Sequence, residues 1–198
     1  MMRVRVGLIA CALTAVGCVN PFAPPQDPTG GSQAFRLAPT SPDNVLSNFQ
    51  NAYRFRDITL YREVLAPDFR FTYNDADGFL RFYGANANAS DPGDIARTQA
   101  LFENATSLTF EEFTTLTSDS ILADDGSGQM WAQRSVRFRL VVQFASPSLP
   151  TQSATGIAIY AFRYTAARDA WTLVRWQEYT SGEKRGSVEL TPALRSIR

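Results

Sequence analysis

Histidine is absent from the 198 residues, and cysteine occurs only as Cys11 and Cys18, both near the amino terminus. The first absence removes the commonest general base and the commonest transition-metal ligand. The second leaves the rest of the chain with neither a disulfide nor a thiol nucleophile. Composition therefore excludes His-dependent triads, thiol chemistry and Cys/His zinc sites. Long apolar runs are also lacking. The longest, from Val6 to Val16, falls well short of the roughly 20 residues that a membrane-spanning helix needs. Charge of one sign does not accumulate either. The formal net charge is zero, and the basic residues, nearly all Arg, are scattered rather than blocked. That distribution argues against nucleic acid as a partner.

What is present suits an ordinary folded domain: 44% hydrophobic, 12% aromatic and 19% charged residues, enough apolar material for one sizeable core. The amino terminus has the grammar of an export signal. Met1 to Arg5 is a short basic region, and Val6 to Val16 has the length of a signal-peptide apolar core. It ends in Thr14-Ala15-Val16-Gly17-Cys18. These small residues before a cysteine resemble the bacterial lipobox, in which the Cys sulfur receives a diacylglyceryl group before the signal is cut. The family prefers Leu where Ala15 stands. Leu8-Ile9-Ala10-Cys11 matches that preference better but leaves an apolar core of only Val6 to Ala10, so Cys18 is the expected lipidation site. A conventional secretory signal cut after Ala15 or Gly17 is the alternative. Val19, rather than Asp, follows the Cys. By the same resemblance this points to the periplasmic face of the outer membrane in a Gram-negative cell.

The resulting organisation is a signal over residues 1–17, a tether over 18–40, a folded domain over 41–180 and a polar tail over 181–198. The tether holds Pro21, Pro24, Pro25, Pro28, Pro39 and the Gly30-Gly31-Ser32 run, a composition that cannot bury enough apolar surface to fold alone.

Within the domain, Ser41-Pro42 forms a helix start, with Ser as cap and Pro at the first helical position. Val45, Leu46, Phe49, Ala52 and Tyr53 follow at helical spacing. Asp57 caps a second helix, which Ala66-Pro67 stops, because the residue before Pro avoids the helical region. Phe69, Phe71 and Tyr73 alternate as a half-buried strand. A looser stretch leads to a third helix, from Asp91 or Pro92 to Phe102 or Asn104. Four longer strands close the domain: Leu108 to Thr117, Gln129 to Phe144, Ala154 to Tyr164 and Trp171 to Tyr179. Short connections imply antiparallel neighbours. The expected fold is α+β, a curved antiparallel sheet packed against about three helices.

Two stretches resemble a known group. Ser41 to Asp57, with Tyr61 and Leu65-Ala66-Pro67-Asp68-Phe69, is similar to the opening of the nuclear transport factor two-like superfamily. Ala170-Trp171-Thr172-Leu173-Val174-Arg175-Trp176-Gln177-Glu178 is similar to its last strand. Arg97 to Phe102 resembles uncharacterised bacterial lipoproteins of that group. The resemblance implies a cone-shaped domain with a pocket between sheet and helices. The superfamily includes isomerases and cyclases as well as non-catalytic binding modules, so fold alone does not choose a function.

Strand parity supplies site candidates. On the second long strand Met130, Ala132, Arg134, Val136, Phe138, Leu140, Val142 and Phe144 share one face, and on the last strand Val174, Trp176 and Glu178 do. Arg134 and Glu178 thus interrupt apolar faces, and a charge there must be paired or solvated. They serve either as polar anchors for an anionic or hydroxylated ligand, or as a structural Arg–Glu pair. Tyr53, Tyr73, Tyr160 and Trp176, with Tyr61 and Phe82, are expected in the pocket or the core. Trp131, Arg137 and Arg139 lie on the opposite face, as a dimer surface or a solvated one. Asp68 is read as part of the helix-to-strand turn. Asp75, Asp77, Asp124 and Asp125 are read as turn residues, with too few oxygen ligands for calcium. No catalytic constellation, metal site or cofactor is expected. The expected partners are a membrane through the lipid anchor, a second copy of the chain, and a small ligand or envelope protein. A small-molecule isomerase, dehydratase or cyclase built on a carboxylate and Tyr is the rival, and a purely structural homodimer, marked by a filled cone, is the third alternative.

Overall fold

The computed structural model describes residues 35–74, 80–122 and 130–180. Helix α1 (Pro42–Phe55) begins as its sequence dictates: the Ser41 hydroxyl accepts from the Asn44 N–H at 3.1 Å, and Pro42 occupies the first turn. Its buried stripe is Val45, Leu46, Asn48, Phe49, Ala52 and Tyr53. Arg56 ends the helix in the left-handed region at φ 54°, where its N–H reaches the carbonyls of Ala52 and Tyr53. Such a conformation costs a non-glycine residue about 1–2 kcal/mol. The Arg56 guanidinium, which donates to the Ala105 carbonyl, helps hold it. Asp57 caps α2 (Ile58–Val64), accepting from the Leu60 N–H at 2.9 Å.

The chain passes directly into β1 (Leu65–Asn74), the conformation that Pro67 favours in the residue before it. Next come β2 (Leu80–Gly84), α3 (Gly93–Asn104), β3 (Ala105–Leu122), β4 (Trp131–Phe144), β5 (Gln152–Thr165), a short 3₁₀ turn (Ala166–Arg168) and β6 (Ala170–Thr180). The strands form one curved, unclosed sheet in the order β2-β1-β6-β5-β4-β3. Helix α1 packs against β3 and β6, α2 against β1, and α3 against β2 and β3. The fold is thus α+β and cone-like.

Two features depart from the sequence reading. The first is β2, which fell in the stretch read as loose; it pairs antiparallel with β1 from Arg70–Gly84 to Asn74–Leu80. The second is that β1 and β6 run parallel, so the sheet is mixed. Their pairing breaks between Leu65 and Arg70, the interval that holds Pro67, which has no N–H to contribute. The turns expected at Asp75, Asp77, Asp124 and Asp125, the expected signal, Cys18, residues 18–34 of the expected tether and the expected tail over 181–198 lie outside the described residues.

Residues 35–40, which the sequence assigns to the tether, are bonded to the domain. Asn44, Asn48 and Asn51 stand at i, i+4 and i+7 on α1, one face of the helix. The Leu37 N–H donates to Asn48 Oδ1 and the Leu37 carbonyl accepts from Asn48 Nδ2, both at 2.8 Å. Asn51 donates to the Phe35 carbonyl at 2.8 Å and Asn44 to the Ala38 carbonyl at 2.9 Å. The Trp171 N–H closes the segment onto β6 through the Pro39 carbonyl at 2.8 Å. Helix α1 thus supplies most of the hydrogen-bond partners of residues 35–39.

Candidate functional site

The helix-covered face of the sheet gathers most of the residues singled out by parity. Arg134 on β4 lies directly across from Tyr160 on β5, Tyr160 across from Trp176 on β6, and Trp176 beside Phe71 on β1. Glu178 sits one step along the same face, opposite Ala158, and is buried. From above, α1 lowers Phe49 and Tyr53 onto this row. The Trp176 ring stacks on Tyr160 at 5.8 Å and meets Phe71 edge-on at 4.7 Å and Phe49 edge-on at 5.1 Å. Tyr53 contacts Phe49 at 5.0 Å and Phe102 at 5.3 Å. Tyr53, Tyr160 and Trp176 are all at most 3% exposed. Aromatic pairs of this kind each add about 0.5–1.5 kcal/mol beyond the burial of their surface. Tyr73 is half-buried and stacks on Phe71 at 5.6 Å. Phe82, by contrast, turns outward and lies 5.3 Å beneath the Arg70 guanidinium.

Arg134 is paired, and the carboxylate it meets directly is not that of Glu178. Its Nε lies 2.8 Å from Asp43 Oδ1 and its Nη2 3.1 Å from Asp43 Oδ2, a two-pronged contact with the first turn of α1. The side chain is only 12% exposed, whereas Asp43 is largely in solvent. Hydrogen bonds from Arg134 hold the Asp43 carboxyl below its ordinary value, and the guanidinium is correspondingly raised. Asp68 behaves alike, with an arginine of β5, the strand beside that of Arg134. Arg163 donates to both its oxygens, at 2.6 and 2.8 Å, and lowers its pKa. Asp68, expected in the helix-to-strand turn, therefore lies within β1 as an ion-pair partner.

The outer face carries Trp131, Arg137 and Arg139. Arg163 lies over the Trp131 ring at 5.5 Å. Arg139 pairs with Glu111 at 3.1 Å, and Arg137 approaches Glu112 at 4.0 Å. Ile157 and Tyr179, directly opposite one another on β5 and β6, are exposed beside Arg137.

Two polar clusters escaped the sequence reading. Asp94, in the first turn of α3, is fully buried and accepts a hydrogen bond from the buried Tyr61 hydroxyl. Thr98 is buried on the same stripe. Asp94, Thr98, Leu101 and Phe102 stand at i, i+4, i+7 and i+8, so the helical period that placed Leu101 and Phe102 inward placed Asp94 there too. Nearby, Arg97 pairs with Asp91 at 3.1 Å and covers the Tyr83 ring at 4.9 Å.

The second cluster frames a cleft of about 300 Å³ between residues 36–39 and the helices. Its walls are Leu37, Pro39, Val45, Leu60, Val64 and Trp171, with Asn48 within and Arg36 and Glu63 at the edge. Arg36 lies 2.9 Å from both Glu63 oxygens and 3.8 Å from Asp57. Among the described residues, no group of three or more acidic, His or Cys side chains gathers to hold a metal ion. No helix among them is long and apolar enough to cross a membrane.

No protein-family model matches the chain, and no curated protein matches it in sequence. It is similar to several solved bacterial structures. One, from Thiobacillus denitrificans, is provisionally named a calcium/calmodulin-dependent protein kinase type II association domain; identity is 17%, coverage 73% of this chain and 97% of that one, and the TM-score 0.48. Another, from Novosphingobium aromaticivorans and provisionally named a scytalone dehydratase, gives 10% identity, 70% and 80% coverage and a TM-score of 0.49. A nuclear transport factor 2-like superfamily protein of Salmonella enterica gives 11% identity, 72% and 89% coverage and a TM-score of 0.47. At these identities and scores no function carries across; the fold stands on the strand order and helix placement described above.

Proposed function

We propose that this chain is a lipid-anchored envelope protein whose domain is a binding module rather than an enzyme. Cys18 is the anchor, and acyl chains there hold the domain at the membrane, each buried CH₂ contributing about 0.8 kcal/mol. The observation that carries the module reading is the packing of Tyr53, Tyr160 and Trp176. These rings, candidates for a reaction pocket, are spent on one another and on Phe49, Phe71 and Phe102. Arg134, the candidate polar anchor, is engaged by Asp43.

The rival is an isomerase or dehydratase, now best placed on Tyr61 and Asp94, a buried hydroxyl–carboxylate pair. Complementation of a deletion strain separates the two. The module reading expects Asp94→Asn and Glu178→Gln chains that fold normally to complement, and Cys18→Ala to fail. A normally folded Asp94→Asn or Glu178→Gln chain that fails to complement overturns it. The exposed Ile157–Tyr179 pair favours a homodimer through the outer sheet face as a second reading. Tyr179→Arg is then expected to halve the mass measured by light scattering.

A further inference from the structure

We infer that the cleft beneath residues 36–39 is a ligand site for a short apolar chain bearing a cationic head. This rests on the reading of the domain as a binding module. The volume, about 300 Å³, lies at the lower end of ligand pockets and holds about ten water-sized groups. The walls set the body of the ligand: Leu37, Pro39, Val45, Leu60, Val64 and Trp171 offer aliphatic and indole surface. The Asn48 amide gives both an acceptor and a donor to Leu37, so it holds the cover in place.

The edge sets the head. Glu63, on the cleft's edge, and Asp57, just outside its lining, both reach the single guanidinium of Arg36, at 2.9 and 3.8 Å, so the three groups together carry one excess negative charge. An ammonium head at this edge meets that excess, whereas a carboxylate head is repelled by it and must displace Glu63 from Arg36.

The cover is built to yield. Of residues 35–40 only Leu37 is even half-buried; the other five are exposed. Lifting the segment therefore gives up little buried apolar surface of its own and uncovers the cleft walls, and its backbone groups exchange their Asn and Trp171 partners for water.

The mature chain is titrated with n-octylammonium, 1-octanol and octanoate below their aggregation limits, followed through the Trp171 indole NMR signal. Saturable binding is expected, with octylammonium about tenfold tighter than octanoate. Glu63→Gln should narrow that ratio to about twofold. Ala38, exposed on the cover, also lines the cleft, and Ala38→Trp should obstruct it and weaken binding at least about tenfold. Equal affinity for the three heads overturns the assigned ligand class while leaving a binding module in place. No saturable shift with any of them, in a chain whose circular dichroism is that of the folded protein, overturns the site itself. Complementation by the Asp94 and Glu178 variants is independent of both outcomes.

Discussion

Asn48→Ala should unlatch the segment over residues 35–40 without unfolding the domain. The wild-type amide makes two hydrogen bonds to the Leu37 backbone, each 2.8 Å. Such bonds contribute about 1 kcal/mol each, so their loss removes about 2 kcal/mol of docking free energy, a factor of roughly 30 in the docking equilibrium. The remaining contacts are the bonds from Asn44, Asn51 and Trp171 and the surface ion pairs of Arg36 with Glu63 and Asp57. Exposed ion pairs contribute about 0–1 kcal/mol, too little to keep six residues ordered alone. Because the released backbone regains water, the global loss is limited to whatever the docked segment contributes. Amide hydrogen exchange reads this directly: the Leu37 amide should exchange about 30-fold faster in the variant. Protection in β4 and β5 should hardly change. Asn44→Ala, which loses its bond to the Ala38 carbonyl and a longer one to Thr40, should accelerate exchange less. Unchanged exchange at Leu37, or acceleration spread evenly through the sheet, would refute the latch.

Asp43 and Asp68 each have a pKa lowered by an arginine, so their contribution is present at neutral pH and lost as pH falls below about 4. The stability gap between wild type and the double variant Asp43→Asn/Asp68→Asn, about 1 kcal/mol by urea denaturation because both carboxylates are largely exposed, should close in acid. A gap that persists to pH 2 would contradict the pairing. Gly93 sits at φ +78°, where an added Cβ would lie 2.4 Å from the Asn86 carbonyl carbon. Gly93→Ala should cost about 2–3 kcal/mol or more in thermal unfolding. At Gly156 the added Cβ would lie 2.7 Å from the Tyr179 carbonyl oxygen, so Gly156→Ala should part β5 from β6 and cost about 1–3 kcal/mol. A neutral outcome at either glycine would contradict the backbone described here.

Local chemistry was legible in the sequence where a single residue decides. Ser41 and Asp57 cap the helices expected of them, and Pro67 stops α2. The alternation of β4 put Arg134 and its apolar neighbours on the helix-covered face, as the burial pattern has it. Strand β2 was hidden because it is a short edge strand whose Leu80 and Phe82 face solvent, so nothing in Leu80–Gly84 alternates as a half-buried strand should. The parallel pairing of β1 with β6 joins residues about a hundred positions apart, beyond any local signal. The same distance hid the partner of Arg134: Asp43 lies 91 residues away, on a helix whose apolar stripe drew the attention. The asparagines of α1 look like a solvated polar face until the backbone at residues 35–38 lies across them. Of the candidate site, parity placed Arg134 among the apolar residues of its strand and Trp176 with Glu178 on theirs, while the cleft depends on that segment and was not readable.

Mass spectrometry of the amino-terminal peptide of the exported protein tests the anchoring claim most directly. The expected result is a mature chain that begins at Cys18, with its sulfur carrying a diacylglyceryl group, and a Cys18→Ala protein found in the soluble fraction. A mature chain in which Cys18 is unmodified, recovered free of membrane after osmotic release, would contradict it.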